Sequence, residues 1–510
     1  MLARTFSASL MGLKPIKITI EVDGAQGLPN LVMIGLADKA VEEAKERITS
    51  ALFNCEVKLK SQRLIVNLAP ADIRKTGSAF ELSIAVALLS FSPEPPVLPR
   101  WTADNTLYLG ELSLSGELRA IRGALPLVLA AREMGFRNIV IPEGNAAEVA
   151  IISAKGINIY PLRKMTDLWQ EEVRPLTPKV IRNKKRGGSE TARGVDLSDI
   201  CGQVVAKKCL EISAAGGHNL LMIGPPGAGK SMLSQALGSI LPDLTEEEMI
   251  EITKIYSICG LNQGGLITKR PFRSPHHSIS AVGLLGGGSN LRPGEISLAH
   301  RGVLFLDEFP EFARHVVEAM RQPLEAGEIN IARAAGQVTF PAQFTLVAAA
   351  NPCPCGYADS KDEQHQCVCS RAARENYLNK LSGPMMDRFD QNLQVSAVEF
   401  ADLARGRGEG KGETSVIVRE RVKKARRRQQ ERLANTPYRV NAQIVSADLA
   451  ALCPMSKEAH EMLLKAASQF SLSARSFFKI HRVAQTIADL EEEKIIGFPQ
   501  VAQALHYRRD

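Results

Sequence analysis

Apolar and polar residues alternate at Ile16-Lys17-Ile18-Thr19-Ile20-Glu21-Val22, the period-two pattern of a strand with one buried face. Further strands are expected at 64–68, 106–109 and 138–141. Between them, 37–52 and 80–89 carry apolar residues three and four apart, the spacing of a helix with one apolar face. The first 14 residues, MLARTFSASLMGLK, are basic and serine-rich without an acid, as transit peptides are. They run past Pro15 straight into the alternating segment and are read as the start of a domain. From 177 to 193 the chain changes to TPKVIRNKKRGGSETAR, a basic stretch with Pro, Gly and Ser that suits an exposed linker. Apolar runs separated by helical segments then resume, and beyond about 396 helical periodicity dominates. The pattern predicts four parts: an α/β domain over 1–175, a basic linker over 176–195, a second α/β domain over 196–395 and a helical domain over 396–510.

With 510 residues, the chain is too long for one core and fits roughly two to four domains of about 150 residues. Apolar residues at 45% and charged residues at 23% exclude a disordered chain or a fibre. No run approaches the ~18 apolar residues of a membrane span, so no membrane partner is expected. The nine cysteines, an odd number without a secretory signal, point to a reducing, cytoplasmic setting. The net charge of +8 suits a polyanionic partner where the charge is clustered.

Gly224-Pro225-Pro226-Gly227-Ala228-Gly229-Lys230-Ser231 fits G-x-x-x-x-G-K-[ST]. Small residues let successive backbone N–H groups wrap phosphates, Lys230 reaches the β- and γ-phosphates, and the Ser231 hydroxyl takes a place on Mg²⁺. The apolar run before it reads as a buried strand, and 232–240 as the helix whose N-terminus faces the anion. A phosphate loop needs an acid on a neighbouring strand. Val303-Leu304-Phe305-Leu306-Asp307-Glu308 supplies two, with Asp307 expected in the Mg²⁺ shell and Glu308 polarising the attacking water. The chain is therefore read as an ATP hydrolase. Another buried strand, Phe344-Thr345-Leu346-Val347-Ala348-Ala349-Ala350, ends at Asn351, either a turn-starting residue or a holder of that water. Arg388 lies between acids in Gly383-Pro384-Met385-Met386-Asp387-Arg388-Phe389-Asp390. It could form a structural ion pair or act as a finger on a neighbouring subunit's nucleotide.

In this order, the strings resemble AAA+ ATPases of the magnesium-chelatase-like group. Pro271-Phe272-Arg273-Ser274-Pro275-His276-His277, Pro293-Gly294-Glu295-Ile296-Ser297-Leu298-Ala299-His300-Arg301-Gly302 and Asn351-Pro352-Cys353-Pro354-Cys355-Gly356 narrow the resemblance to the bacterial ComM (YifB) family. The resemblance implies that Asn351 is sensor 1, Arg388 the arginine finger and Arg475, in Ser473-Ala474-Arg475-Ser476-Phe477, the sensor 2 arginine of a helical lid. It further implies a homo-hexameric ring that drives branch migration of DNA, single-stranded and branched, during natural transformation. The first domain resembles the proteolytic domain of Lon, a ribosomal S5 domain 2-like α/β fold, through Lys75-Thr76-Gly77-Ser78-Ala79 and Gly110-Glu111-Leu112-Ser113-Leu114-Ser115-Gly116. A Ser–Lys protease needs a lysine base beside its serine. Leu125 stands in the helix where that lysine is expected, so the domain is read as non-proteolytic.

The segment 328–340 reads as a β-hairpin with a small-residue tip. In the resembled class such a hairpin enters the ring's pore, which would bring Arg333 to the DNA backbone. The Gly-rich run 283–288 is either a second pore insert or a loop, and His276 and His277 are read as loop or helix-terminus contacts. Cys353, Cys355, Cys367 and Cys369 form C-x-C-x11-C-x-C, a set suited to tetrahedral Zn²⁺ although the half-site spacing is shorter than usual. Residues 419–432 hold eight Lys or Arg against two Glu without aromatics, either a solvated helix face or a phosphate-facing surface. Two other readings stay open. One is a magnesium-chelatase-like ATPase driving metal insertion; the other is an ATP-dependent Lon-like protease.

Overall fold

Two sheets organise the chain. In the first α/β unit the strands are β1 (Leu2–Met11), β2 (Lys14–Ala25), β3 (Asn30–Ile34), β4 (Arg63–Ala69), β5 (Thr106–Tyr108), β6 (Glu111–Leu112), β7 (Leu118–Arg119), β8 (Asn138–Pro142) and β9 (Asn158–Leu162). Seven of them form a mixed sheet in the order β3-β4-β2-β1-β5-β8-β9. The pairs β1–β2 and β2–β4 are antiparallel and the other neighbours parallel. The coordinates are a computed structural model, which describes residues 2–35, 38–71, 78–102, 105–150, 152, 156–169, 173–177, 194–262, 264–288, 291–333, 336–358, 366–396 and 412–508. Most of the expected basic linker and the segment Lys75-Thr76-Gly77 lie outside these residues.

The alternating run predicted at 16–22 lies in β2, where Ile18, Ile20 and Val22 enter the core beneath the helices Asp38–Asn54 and Glu81–Leu89. Strand β1 was not expected. It buries both faces around Ser7, Ala8 and Ser9, so its sequence lacks alternation. The Ser7 hydroxyl is satisfied by donating to the Tyr108 carbonyl at 2.9 Å, which makes a polar residue tolerable at full burial.

The second sheet uses β10 (Leu220–Ile223), β11 (Phe272–Arg273), β14 (Val303–Leu306), β17 (Thr345–Ala350) and β18 (Gln391–Gln394), in the order β11-β14-β17-β10-β18 and parallel throughout. Its interior strands are nearly continuous apolar runs because helices cover both faces. Two hairpins project from this unit: β12 (Gly286–Gly287) with β13 (Arg292–Pro293), and β15 (Glu328–Arg333) with β16 (Gly336–Pro341). The latter falls where a hairpin was expected. The Gly-rich run resolves into a short helix, Ala281–Leu285, followed by β12.

Carboxy-terminal to the sheet stand the helices Ser415–Arg432, Lys457–Gln469, Ala474–Leu490 and Phe498–His506. They share one apolar core with the helix Val204–Gly216 and the sheet. The basic helix Ser415–Arg432 keeps one solvated face, with Glu420, Lys424, Arg427 and Glu431 exposed, while several of its other charges are paired. Arg421 pairs with Glu211 at 2.6 Å and with Glu413, Lys423 with Asp243 at 2.9 Å, and Arg428 with Glu492 at 3.0 Å. Arg426 is half-buried, donating to the Ala214 carbonyl at 2.8 Å, and desolvation of its guanidinium pulls its pKa down to about 9. Arg419, Arg421, Lys423 and Arg426 tie this helix to residues 211–243 of the ATPase unit, whereas Lys424, Arg428 and Arg432 pair within the helical part. No described helix is long and apolar enough to cross a membrane.

Candidate nucleotide site

Parallel strands bring their carboxyl ends to one edge, where ligands of open α/β sheets bind. Because β17 lies between β10 and β14, the loops after these strands meet there. The phosphate loop follows β10, Asp307 and Glu308 follow β14, and Asn351 follows β17. Gly224, Pro225, Pro226, Gly227 and Ala228 make the loop, with Gly227 and Gly229 at φ +78° and +85°. Those left-handed angles suit glycine and turn the backbone N–H groups inward. Gly224 has no room for a side chain, since a Cβ there would strike the Val395 carbonyl.

Lys230 opens the helix Lys230–Ile240, and its ammonium uses three bonds: to the Gly224 carbonyl at 2.6 Å, the Pro225 carbonyl at 2.9 Å and the Asn351 Oδ1 at 3.1 Å. Burial draws its pKa below the usual lysine value, with Asp307 opposing. The Ser231 hydroxyl donates to Asp307 Oδ2 at 2.9 Å, and Asp307 Oδ1 accepts from the Glu308 N–H at 2.9 Å. A hydroxyl and a carboxylate so close are hard oxygen donors, the set Mg²⁺ prefers. Glu308 sits at φ +49°, an uncommon angle for a residue with a Cβ and one often kept at functional positions.

His277 lies 3.1 Å from the Glu308 carboxylate through Nδ1. No local pattern in the chain marks that pair, since the His follows β11 and the Glu follows β14. Its partner His276 stacks on it with ring centroids 4.0 Å apart and meets the Ser278 hydroxyl at 2.9 Å. Both histidines make contacts from a loop, His276 to Ser278 and His277 to Glu308.

Beyond Asn351 the chain turns into the four cysteines. Their sulfurs all lie within 4.8 Å of one another, with Cys353–Cys355 at 3.3 Å, Cys355–Cys367 at 3.5 Å and Cys353–Cys367 at 3.6 Å. A Zn–S bond of ~2.3 Å in a tetrahedron separates sulfurs by about 3.8 Å, so the four thiols approach the required spacing. The Tyr357 backbone, followed by the neighbouring thiols, pulls the Cys355 thiol down to about 6, while burial pushes Cys353 up. This loop also touches the phosphate loop. Gly356, at φ +87°, packs so that a Cβ would lie 2.7 Å from Pro226 Cγ and Cδ.

The two expected arginines stand apart from Lys230. Arg388 pairs with Glu325 of its own chain, and Arg475 lies 3.5 Å from Asp387. Burial, then the nearby charges of Arg475 and Arg321, lowers the Arg388 pKa. Arg333 ends β15, and its side chain lies outside the described residues. In the first unit the Ser78 hydroxyl donates to the Glu111 carboxylate, and Leu125 is buried in the core.

A phosphate loop, a carboxylate pair and a polar strand end on a five-stranded parallel sheet, followed by a helical region, define a P-loop ATPase of the AAA+ class. Residues 196–403 match the family described as magnesium chelatase, subunit ChlI; residues 20–145 match subunit ChlI of Mg-chelatase, and 412–508 the ChlI C-terminal family. The chain is 41% identical to competence protein ComM of Haemophilus influenzae, over 99% of this chain and 97% of that protein. It is 39% identical to YifB of Escherichia coli, over 98% and 95%. A more distant similarity, 27% identity over 46% of this chain and 24% of the relative, reaches the DNA replication licensing factor Mcm6 of Drosophila melanogaster. The chain belongs to the ComM/YifB family of magnesium-chelatase-like AAA+ ATPases.

Proposed function

We propose that this ATPase is a DNA motor, a branch-migration helicase acting on single-stranded and branched DNA in natural transformation. The observation that carries the hydrolytic part is the meeting of Lys230, Ser231, Asp307, Glu308 and Asn351 at one sheet edge. The DNA part is supported by the relative named competence protein ComM and by the β15–β16 hairpin, whose first strand ends at Arg333. A cation there gives sequence-blind affinity for phosphates.

In this reading the amides from Gly224 to Ser231 bind the ATP phosphates, and Lys230 exchanges its carbonyl partners for β- and γ-phosphate oxygens. Ser231 and Asp307 hold Mg²⁺, which when bound neutralises charge on the transferred phosphoryl group. Glu308 takes the proton of the attacking water, and Asn351 orients that water. Arg388, completing the site of the next subunit in a homo-hexamer, and Arg475 stabilise charge on the phosphates. Cys353, Cys355, Cys367 and Cys369 hold one structural Zn²⁺ per chain, supported by the sulfur spacing. Metal analysis of protein purified without chelator should find about one zinc per chain; none would remove that part.

The test is ATP hydrolysis with and without single-stranded and four-way-junction DNA, with Lys230→Ala as the blank. Stimulation by DNA is expected. Hydrolysis indifferent to every DNA would remove the motor and favour a metal-insertion ATPase, the reading that the chelatase families support. Mixing Lys230→Ala with Arg388→Ala subunits should restore part of the activity, because a shared interface pairs two intact halves. No restoration would exclude a site built between subunits. A protease is disfavoured because Leu125 cannot take a proton, and a casein digest checks it.

A further inference from the structure

The β15–β16 hairpin has two faces. Ile329, Ile331, Val338 and Phe340 lie on one, and Asn330, Ala332, Gln337 and Thr339 on the other, as the pleat requires. The second face is exposed where the structure describes it, whereas Val338 and Phe340 are buried. Part of what covers them comes from the other α/β unit. The turn joining β1 to β2, Met11-Gly12-Leu13, packs into a small apolar cluster with Ile331, Val338, Phe340 and Leu291. Gly12, at φ +61°, is in such close contact with Val338 that a Cβ would overlap its side chain. Leu291 brings in the second hairpin, since it lies between β12 and β13. Both projecting hairpins of the ATPase sheet therefore meet the first unit at one turn.

The grip has a second point. The helix Glu246–Cys259 opens with a Thr245–Glu248 capping box and closes at Gly260, φ +70°. At that end the Gly123 N–H donates to the Ser257 carbonyl at 3.1 Å, and Gly260 lies so near Arg122 that a Cβ would stand 2.9 Å from its side chain. The same helix reaches the hairpin base from behind. Glu251 accepts from Arg301 at 2.8 Å, and the Arg301 guanidinium donates to Gln343, just past β16, at 2.5 Å. The first unit thus holds the hairpin directly at its apolar face and indirectly through the helix that braces its base.

We propose that Met11 and Leu13 are positioning residues for the β15–β16 hairpin: the first unit fixes the angle at which the hairpin meets DNA. This rests on the motor reading above. A two-stranded hairpin alone is marginally stable in water, so its orientation depends on what packs against its apolar face. The turn lies outside the nucleotide site, and its loss leaves the chemistry intact while releasing the hairpin.

The test compares full-length wild type with Met11→Ser/Leu13→Ser and the conservative Met11→Leu/Leu13→Met, checked for equal thermal stability of the ATPase unit. Amide hydrogen exchange at 329–332 and 337–340, read without DNA, should rise about tenfold or more in the serine pair and stay near wild type in the conservative pair. Basal ATP turnover should stay within about twofold. The DNA concentration for half-maximal stimulation should rise about tenfold in the serine pair alone. Unchanged exchange overturns the proposal whatever DNA does. An equal fall of basal and stimulated turnover also overturns it, because that marks a general structural defect. A wild type that no DNA stimulates sinks the motor reading, and with it the claim that the held hairpin meets DNA. The exchange data tell that result apart from failure of the clasp.

Discussion

Replacing Gly356 by Ala should impair ATP hydrolysis although no expected catalytic atom is removed. The residue sits at φ +87°, which costs a side chain about 1–2 kcal/mol. The new Cβ would stand 2.7 Å from both Cγ and Cδ of Pro226, where carbon atoms prefer about 3.5–4.0 Å. One of the two loops must move by roughly 1 Å to restore that contact distance. Pro226 immediately precedes Gly227, so the displacement enters the backbone that wraps the phosphates. A misplacement of about 1 Å at a reacting geometry costs up to about 10²-fold, so kcat/KM for ATP should fall by roughly 10- to 100-fold. Global stability should fall by only about 1–2 kcal/mol, small against a domain total of about 5–15 kcal/mol. The assays are phosphate release and titration with a fluorescent ATP analogue. Pro226→Ala removes the two clashing carbons, so the Gly356→Ala/Pro226→Ala pair should recover much of the loss, leaving the φ penalty. Wild-type kcat/KM in Gly356→Ala, or effects of the two changes that add within about 0.5 kcal/mol, would refute contact between the cysteine loop and the phosphate loop.

Glu308→Gln should retain ATP binding and lose about 10²–10⁴-fold in kcat, the range for removing a general base; comparing nucleotide titration with single-turnover hydrolysis checks it. Arg432→Met should destabilise the helical region by about 3–5 kcal/mol, because it removes the charge partner, now bonded at 2.6 and 2.8 Å, of the buried Asp489 carboxylate and leaves it only the neutral amides of Asn441 and Gln485. Denaturant unfolding reads that loss, and Arg432→Met/Asp489→Leu should recover part of it. The Glu251 carboxyl is held at about 2, chiefly by the His300 bond and then by Arg301, against burial. Its folded pKa is below the unfolded value near 4.5, so its stabilisation is present above about 4.5 and lost as pH falls toward 2. Glu251→Gln should therefore flatten the acid-unfolding curve in that window, by an amount reduced by solvent screening of a part-exposed pair.

What could be read from the sequence was local. The strand, phosphate loop and helix around Lys230 are consecutive, and each step has its own residue signal. The apolar run ending in Asp307 and Glu308 and the one ending at Asn351 are equally self-contained. Strand order is not local, and from it comes the bond between Lys230 and Asn351. The pairing of His277 with Glu308 escaped notice for the same reason, since β11 and β14 must first become neighbours. The ion pairs of the helix Ser415–Arg432 were not legible either, because the partners Glu211 and Asp243 lie far back in the chain. A run of lysines and arginines looks alike whether its partners are phosphates or carboxylates. Strand β1 was hidden because its buried serines break the period that identifies strands.

The pairings within the isolated chain bear on when it hydrolyses ATP. The Lys230 ammonium already bonds three oxygens, Glu308 is beside His277, and Arg388 is paired with Glu325. Each group assigned a step by the proposed function is thus held by a partner that must be displaced before it acts. A triphosphate can displace the two neutral carbonyls from Lys230, because a charge-assisted bond is about twice as strong as a neutral one. Arg388 is different. Its present partner is a carboxylate, and under the proposed shared site its reach to nucleotide requires a second subunit. Glu325 would then compete with a neighbour's phosphate, and the competition would turn only when assembly brings that phosphate close. Under a shared site, Glu325→Gln should lower this barrier and raise basal hydrolysis in the assembled protein while leaving dilute single chains unchanged. Equal basal rates for Glu325→Gln and wild type across the assembly range would show that the pair does not compete with the phosphate.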